Sequence, residues 1–378
     1  MKVEQRLWTQ AQGWQPGGAG NLADSARLLL IFGGTGLLAD VSHYHELRAL
    51  YPNAILLGCS TAGEIYGTQV LDDSLVATAV SFDHTGLKLA SVTIDQAGAS
   101  HAAGEALARQ LDPAGLAHVL VLSDGLKVNG TDLVDGLKAA LPEHVAVTGG
   151  LSGDGARFQR TLVCADAPPA EGRVAALGFY GDRIRVGYGS LGGWDPFGPD
   201  RLITKSRGNV LYELDGQSAL ELYKSYLGEH AAGLPSTGLL FPLALHGESG
   251  QEAGLVRTIL AVDEADQSMT FAGDMPEGVY AQLMKANFDR LIEGAANAAR
   301  ATSLGAAEPE LAILISCVGR KLVLNQRIEE EVESVRDVLG AGTALTGFYS
   351  YGEISPYAAT AKCELHNQTM TITTFSES

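Results

Sequence analysis

LLGCSTAGEIYG, residues Leu56–Gly67, is echoed by LTGFYSYGEISP, residues Leu345–Pro356. Each phrase runs from an apolar segment through a turn of small residues to Gly-Glu-Ile. A hydrophobic core requires neither the glutamate nor the glycines, so the repetition points to a shared backbone geometry or a shared binding site.

The surroundings of the two phrases repeat as well. ARLLLIFGG (26–34) reads as a buried strand entering a glycine turn, HYHELRAL (43–50) as a helix and AILLGCS (54–60) as a second strand. The order returns in HVLVLSDG (118–125), LVDGLKAAL (133–141) and VAVTGGLSGDG (145–155), and again in LAILISCVGR (311–320), IEEEVESVRDVLG (328–340) and TALTGFYSYGEISP (343–356). Spacing agrees: Phe32 to Gly58, Leu122 to Gly149 and Ser316 to Gly347 are 26, 27 and 31 residues. Three divergent copies of strand, helix, strand, glycine turn and strand are an internal repeat. The fold class is α/β, with repeated strand–helix–strand units forming two mixed-sheet domains. GGWDPFGPDR (192–201) is dense in Gly, Pro and Asp, which places a boundary there and gives domains at 25–195 and 205–376.

With 378 residues, 46% apolar and 19% charged, the chain has material for two or three well-cored domains. Its formal charge of −18 opposes nonspecific binding to nucleic acid or anionic membrane. The opening MKVEQRLWTQ lacks a signal-peptide core and no apolar run approaches membrane-spanning length, so a cytoplasmic location and no membrane insertion are expected. Cys59, Cys164, Cys317 and Cys363 are too widely spaced for a CxxC metal site and read as buried small residues.

GGTG (33–36) lacks the spacing and lysine of a phosphate loop, and no GxSxG elbow occurs. His43 and His45 read as a surface patch. His246, leaving the apolar run FPLALHG, and His366, opening the final strand, are the histidines best placed beside apolar surface, as an axial iron ligand requires. Glu64 and Glu353 either brace neighbouring turns through backbone N–H bonds or face a common cleft at strand ends, where α/β folds place ligands. Asp154 in SGDG takes the matching place in the second copy, and Arg257, Arg320 and Tyr349 end other apolar runs and could complete a cleft. A glycosidase-like pairing of Glu64 with Glu353 needs adjacent carboxylates, for which the sequence offers no support.

LLGCSTAGEIYG with DSLVATAVSF resembles the N-terminal half of the FIST sensory-domain family. NVLYELDGQSALELYKSYLG, LLFPLALHG, LVRTILAVD, FAGDMPEGV, ISCVGR, GFYSYGEISP and LHNQTMTI resemble its C-terminal half, in family order over residues 25–375. The resemblance implies a non-enzymatic, stand-alone signal-transduction sensor acting through a separate partner, a histidine kinase of a two-component system or a cyclic-di-GMP enzyme, with homo-oligomerisation left open. The layout is similar to a haem-binding, nitric-oxide-sensing branch of that family. That implies noncovalent haem b, for which His246 is the preferred iron ligand and His366 the second candidate. The alternative is a sensor without haem for a small polar metabolite such as an amino acid, held by Glu353, Arg257 and Tyr349.

Overall fold

In the computed structural model, which describes residues 1–18, 20–95, 99–247, 255–302, 308–356 and 363–378, the repeat becomes three units. The first contains β1 (Lys2–Thr9), β2 (Leu28–Gly33), α1 (Val41–Leu50), β3 (Ile55–Ser60), the short β4 (Glu64–Tyr66) and β5 (Leu75–Ser81). The second contains β6 (Gly86–Thr93), α2 (Ser100–Gln110), β7 (Leu116–Ser123), α3 (Gly130–Ala140), β8 (Ala146–Leu151), the short β9 (Val163–Ala165) and β10 (Arg173–Tyr180). The third contains β11 (Ile184–Leu191), α4 (Phe288–Ala301), β12 (Leu311–Cys317), α5 (Ile328–Leu339), β13 (Ala344–Ser350), β14 (Gly352–Pro356), β15 (Cys363–His366) and β16 (Met370–Glu377).

Each unit builds one sheet on the same plan. A parallel pair (β2/β3, β7/β8, β12/β13) is flanked by the unit's antiparallel last strand, which in turn pairs with its first. The short strand does not stay at home. β4 of unit one pairs with β13 of unit three, β14 of unit three with β8 of unit two, and β9 of unit two with β3 of unit one. The exchange is cyclic. The stretches 25–195 and 205–376 therefore do not close their sheets separately, because β4 and β14 each complete a sheet belonging to the other stretch.

Alternation along the buried strands feeds two cores. Leu28, Leu30 and Phe32 share an inner core with Leu120, Leu122, Ile313, Ile315 and Phe348 from the other two sheets. Leu29 and Ile31 point outward onto Leu47 and Tyr51 of the helical layer. Helix α3 starts where Asn129 accepts N–H bonds from Thr131 and Asp132, and it buries Leu133, Val134 and Leu137.

Between β11 and α4 the third unit carries an inserted segment, which the first two units lack. It folds strands between Trp194 and Ala286 and the helix Ala219–Leu227 around Ile203, Leu211, Tyr223, Phe271 and Met275. Its entry and exit are zipped together by antiparallel pairing of Trp194–Pro196 with Met284–Ala286.

The recurring glycine has a steric cause. A Cβ on Gly58, Gly149 or Gly347 would lie 2.0, 1.9 or 1.8 Å from the carbonyl oxygen of Ile31, Val121 or Leu314 on the adjacent parallel strand. Gly58→Ala and Gly347→Ala should each lower stability by about 2–3 kcal/mol, read as an earlier urea midpoint, through forced strand separation. Gly36→Ala, with open space around the added carbon, should be near neutral.

Candidate functional site

The three turns that follow the second strands meet at the centre of the molecule. Gly153 N donates to Ser60 O (2.9 Å), Ala62 N to Tyr349 O (2.8 Å), and Tyr351 N to Leu151 O (3.1 Å), so each turn bonds to the others. Glu64 and Glu353 lie in this hub, fully buried, and their side chains are taken up by bracing. Glu64 accepts from Thr61 Oγ1 (2.5 Å) and from Ser74 Oγ and N (2.8 and 3.2 Å). Glu353 repeats the pattern with Ser350 Oγ (2.6 Å) and Thr369 Oγ1 and N (3.0 and 3.2 Å). Each carboxylate thus ties a hub turn to the start of its unit's last strand.

Asp154 does not occupy the matching place. It lies five residues beyond Gly149, whereas Glu64 and Glu353 lie six beyond Gly58 and Gly347. It accepts instead from Arg157 Nε (2.8 Å) and Arg160 N (3.1 Å). In unit two the brace comes from Asp124, which accepts from Gly172 N (2.8 Å) ahead of β10 and from Leu126 and Lys127 N. Asp124 stands in plain view in LVLSDG, but at the end of the first strand rather than after the second.

Arg320 and Tyr349 do come together, on a third residue. Arg320 Nη2 and Nε lie 2.7 and 2.9 Å from Glu331 Oε2, while Tyr349 Oη donates to Glu331 Oε1 (2.8 Å). Both ion-pair partners are inaccessible to solvent, and Arg320 also grips Gly192 O and Leu291 O at the two ends of the insert. This is a structural pin, with no open side for a ligand. The signal for Glu331 was its place four residues before Val335 on the apolar face of α5.

His246 and His366 are both buried and both engaged. His246 Nε2 lies 3.2 Å from Asp200 Oδ1, with its ring stacked 5.9 Å from Tyr280. His366, opposite Glu353 in the β14/β15 ladder, has Nε2 2.9 Å from Ser355 O. Burial, helped by the charge of Arg257, pulls its pKa down to about 4. Nε2 of each imidazole already has an oxygen partner, so iron at that atom would have to displace it. Among the described residues, no group of three or more His, Cys, Asp and Glu could hold a metal ion.

Arg257 is different. It is buried at the seam where the insert meets α3 and β15, and its partners are all backbone oxygens: Asp274 O (3.1 Å), Leu365 O (2.9 Å) and Val256 O (3.5 Å). Among the described residues its guanidinium makes no ion pair, and burial draws its pKa down to about 10 against the upward pull of Asp274 and Glu364. Beside it, Asp274 Oδ1 accepts from Asn129 Nδ2 (2.8 Å) and Asp274 N donates to Thr131 Oγ1 (3.2 Å). Gly273 lets this corner pack closely, since a Cβ there would lie 2.7 Å from Thr131 Oγ1 and 3.1 Å from Arg257 Cζ. Arg257 thus gathers Asp274, Asn129 and Thr131, not Glu353 and Tyr349. Those three neighbours carry no local sequence signal, because they meet only through the packing of the insert on unit two.

The buried braces set a pH dependence. Burial raises Glu64 to about 7 and Glu353 to about 8, overcoming the hydroxyl and N–H donors that favour the charged form. Both bind a proton more tightly folded than unfolded. The stability they lend is therefore complete below their ordinary value of 4.5 and is lost as pH rises through 7 and 8. Between pH 7 and 9 the urea midpoint should fall by the equivalent of roughly 2 kcal/mol. A Glu64→Gln, Glu353→Gln double variant should flatten that slope.

A family model described as FIST N domain matches residues 27–217, and one described as FIST C domain matches 219–356. No curated protein matches the chain. Among solved structures the chain is similar to a cyanuric acid hydrolase from A. caulinodans, at 9% identity over 100% of this chain and 99% of that one, with a TM-score of 0.35. Similarity at that level carries no argument about activity.

Proposed function

The chain belongs to the FIST family of non-catalytic sensory domains, and from that premise we propose that it senses a small polar metabolite of the amino-acid class at Arg257. The proposal includes a separate output partner, a histidine kinase or a cyclic-di-GMP enzyme, to which the bound state is reported. One observation carries the reading: a buried guanidinium whose partners among the described residues are all carbonyl oxygens. A desolvated guanidinium that makes no ion pair among the described residues is costly, and a ligand carboxylate would relieve it through a charge-assisted, bidentate contact. Asp274, half-buried and bonded through Oδ1 alone, is placed to take an ammonium group. An anion on Arg257 would also restore its proton affinity, so the site favours zwitterions over uncharged ligands.

A thermal-shift panel of the twenty standard L-amino acids, each beside its carboxamide, tests this. At least one amino acid should raise the melting temperature, its carboxamide should not, and Arg257→Gln should abolish the shift. No response from any amino acid, or a response indifferent to Arg257→Gln, would sink the reading. A one-to-one Soret band on titration with hemin, lost in His246→Ala, would return the haem sensor to first place.

A further inference from the structure

The segment Leu365–Thr369, the end of β15 with the turn that follows it, spends each of its residues on a contact outside itself. Leu365 O accepts from Arg257 Nη1, and Thr258 N, next along the chain, donates to Asn367 Oδ1 (3.3 Å). Asn367 Nδ2 donates to Tyr351 O in the hub (3.2 Å). Gln368 Nε2 donates to Leu239 O and Thr258 Oγ1 (both 3.0 Å), and its carbonyl accepts from Trp194 Nε1 (2.9 Å) at the root of the insert. Thr369 closes the turn on Glu353. One side of these five residues holds the insert, and the other holds the hub turn of unit three.

Strain sits on this line of contacts. Gln368 has φ +64°, a region that costs a non-glycine residue, and its Oε1 is buried without a hydrogen-bond partner. Tyr351 carries the line on into unit two. Its ring stacks on Phe158 at 4.5 Å, and its hydroxyl donates to Gly155 O (3.2 Å) and accepts from Phe158 N (3.3 Å). Phe158 also has a left-handed backbone, φ +52°. The loop that bears it presents the half-exposed Arg157 and Arg160 to solvent.

We propose that Leu365–Thr369 is the transmission element of the sensor, and that the loop Asp154–Arg160 is its output surface. This deepens, and for its ligand-driven arm rests on, the assignment of Arg257 as the ligand site. When a carboxylate draws the guanidinium away from Leu365 O, the register of Thr258 against Asn367 changes. Gln368 then has an exit from its left-handed conformation, and Tyr351 passes the movement to Phe158. Asn367 and Tyr351 are positioning residues, and relief of the strained turn at Gln368 is the change that would couple the two places.

Hydrogen exchange of the full chain, followed by mass spectrometry at residues 154–160, is the test. The probe is the amino acid giving the largest thermal shift in the panel above. It should change exchange in this loop at least threefold in the wild type. Asn367→Ala and, as a milder break that keeps the ring stack, Tyr351→Phe should bind the probe within threefold of wild type yet lose the loop response. A purely structural role for these residues would move affinity and stability but would leave the response in place. Arg257→Gln supplies an arm that needs no ligand: it should accelerate exchange at 154–160 at least threefold, and Tyr351→Phe should remove that effect. A panel without hits would therefore remove the metabolite reading while this second arm still decides the transmission. Exchange at 154–160 that ignores Arg257→Gln, or a response that persists in Tyr351→Phe, would overturn it.

Discussion

Closure of the three hub turns on one another is the constraint from which the rest follows. Ser60 O, Leu151 O and Tyr349 O each accept an N–H from a neighbouring unit's turn, and a strand leaving such a turn is already beside a foreign sheet. The cyclic exchange of β4, β9 and β14 is the consequence, and with it every unit is completed by another. Such an arrangement tolerates little separation between the parallel strands that enter the hub. Gly58, Gly149 and Gly347 satisfy it by leaving the neighbouring carbonyl unobstructed. Polar groups so enclosed must be paired, and Glu64, Glu353 and Asp124 do that for the N–H groups at the head of each last strand.

Much of this was written in the echoed phrase, and what was not has a physical reason. Gly-Glu-Ile at two sites identified two of the three turns and their bracing carboxylates, because a turn's φ/ψ needs and a buried carboxylate's donors are local properties. The third turn was legible as a repeat but not in register: Asp154 precedes the equivalent position by one residue, and Asp124, from a different strand end, does its work. Strand exchange was invisible, since the partner of a three-residue strand such as Glu64–Tyr66 is chosen by tertiary placement and not by its own pattern. The same holds for Arg257. Its strand could be read as apolar, but the carbonyl oxygens that surround its guanidinium among the described residues come from segments brought together only by packing.

What separates the third unit from the first two bears on function. The insert enters after Leu191 and returns at Phe288, and Arg320 holds both roots, at Gly192 O and Leu291 O, while its charge is met by Glu331. A buried pair of this kind adds little net stability over an apolar substitute, but losing either member strands a charge. Its value is geometric. The roots are fixed to the hub through Tyr349, while Arg257 and Asp274 lie where the insert packs on α3 and β15.

The asymmetry also resolves the choice between bracing and binding for the repeated glutamates. A duplicated residue held by duplicated partners does the same thing in each copy, and Glu64 and Glu353 share a hydroxyl from the hub turn and a hydroxyl with its N–H from the following strand. Recognition of one ligand needs groups that are not duplicated, converging at one place. Arg257 and Asp274 come from the insert, which has no counterpart in units one and two, and Asn129 and Thr131 come from the single helix start against which it packs. The repeat therefore builds the scaffold, and the ligand site proposed at Arg257 lies where the repeat is broken.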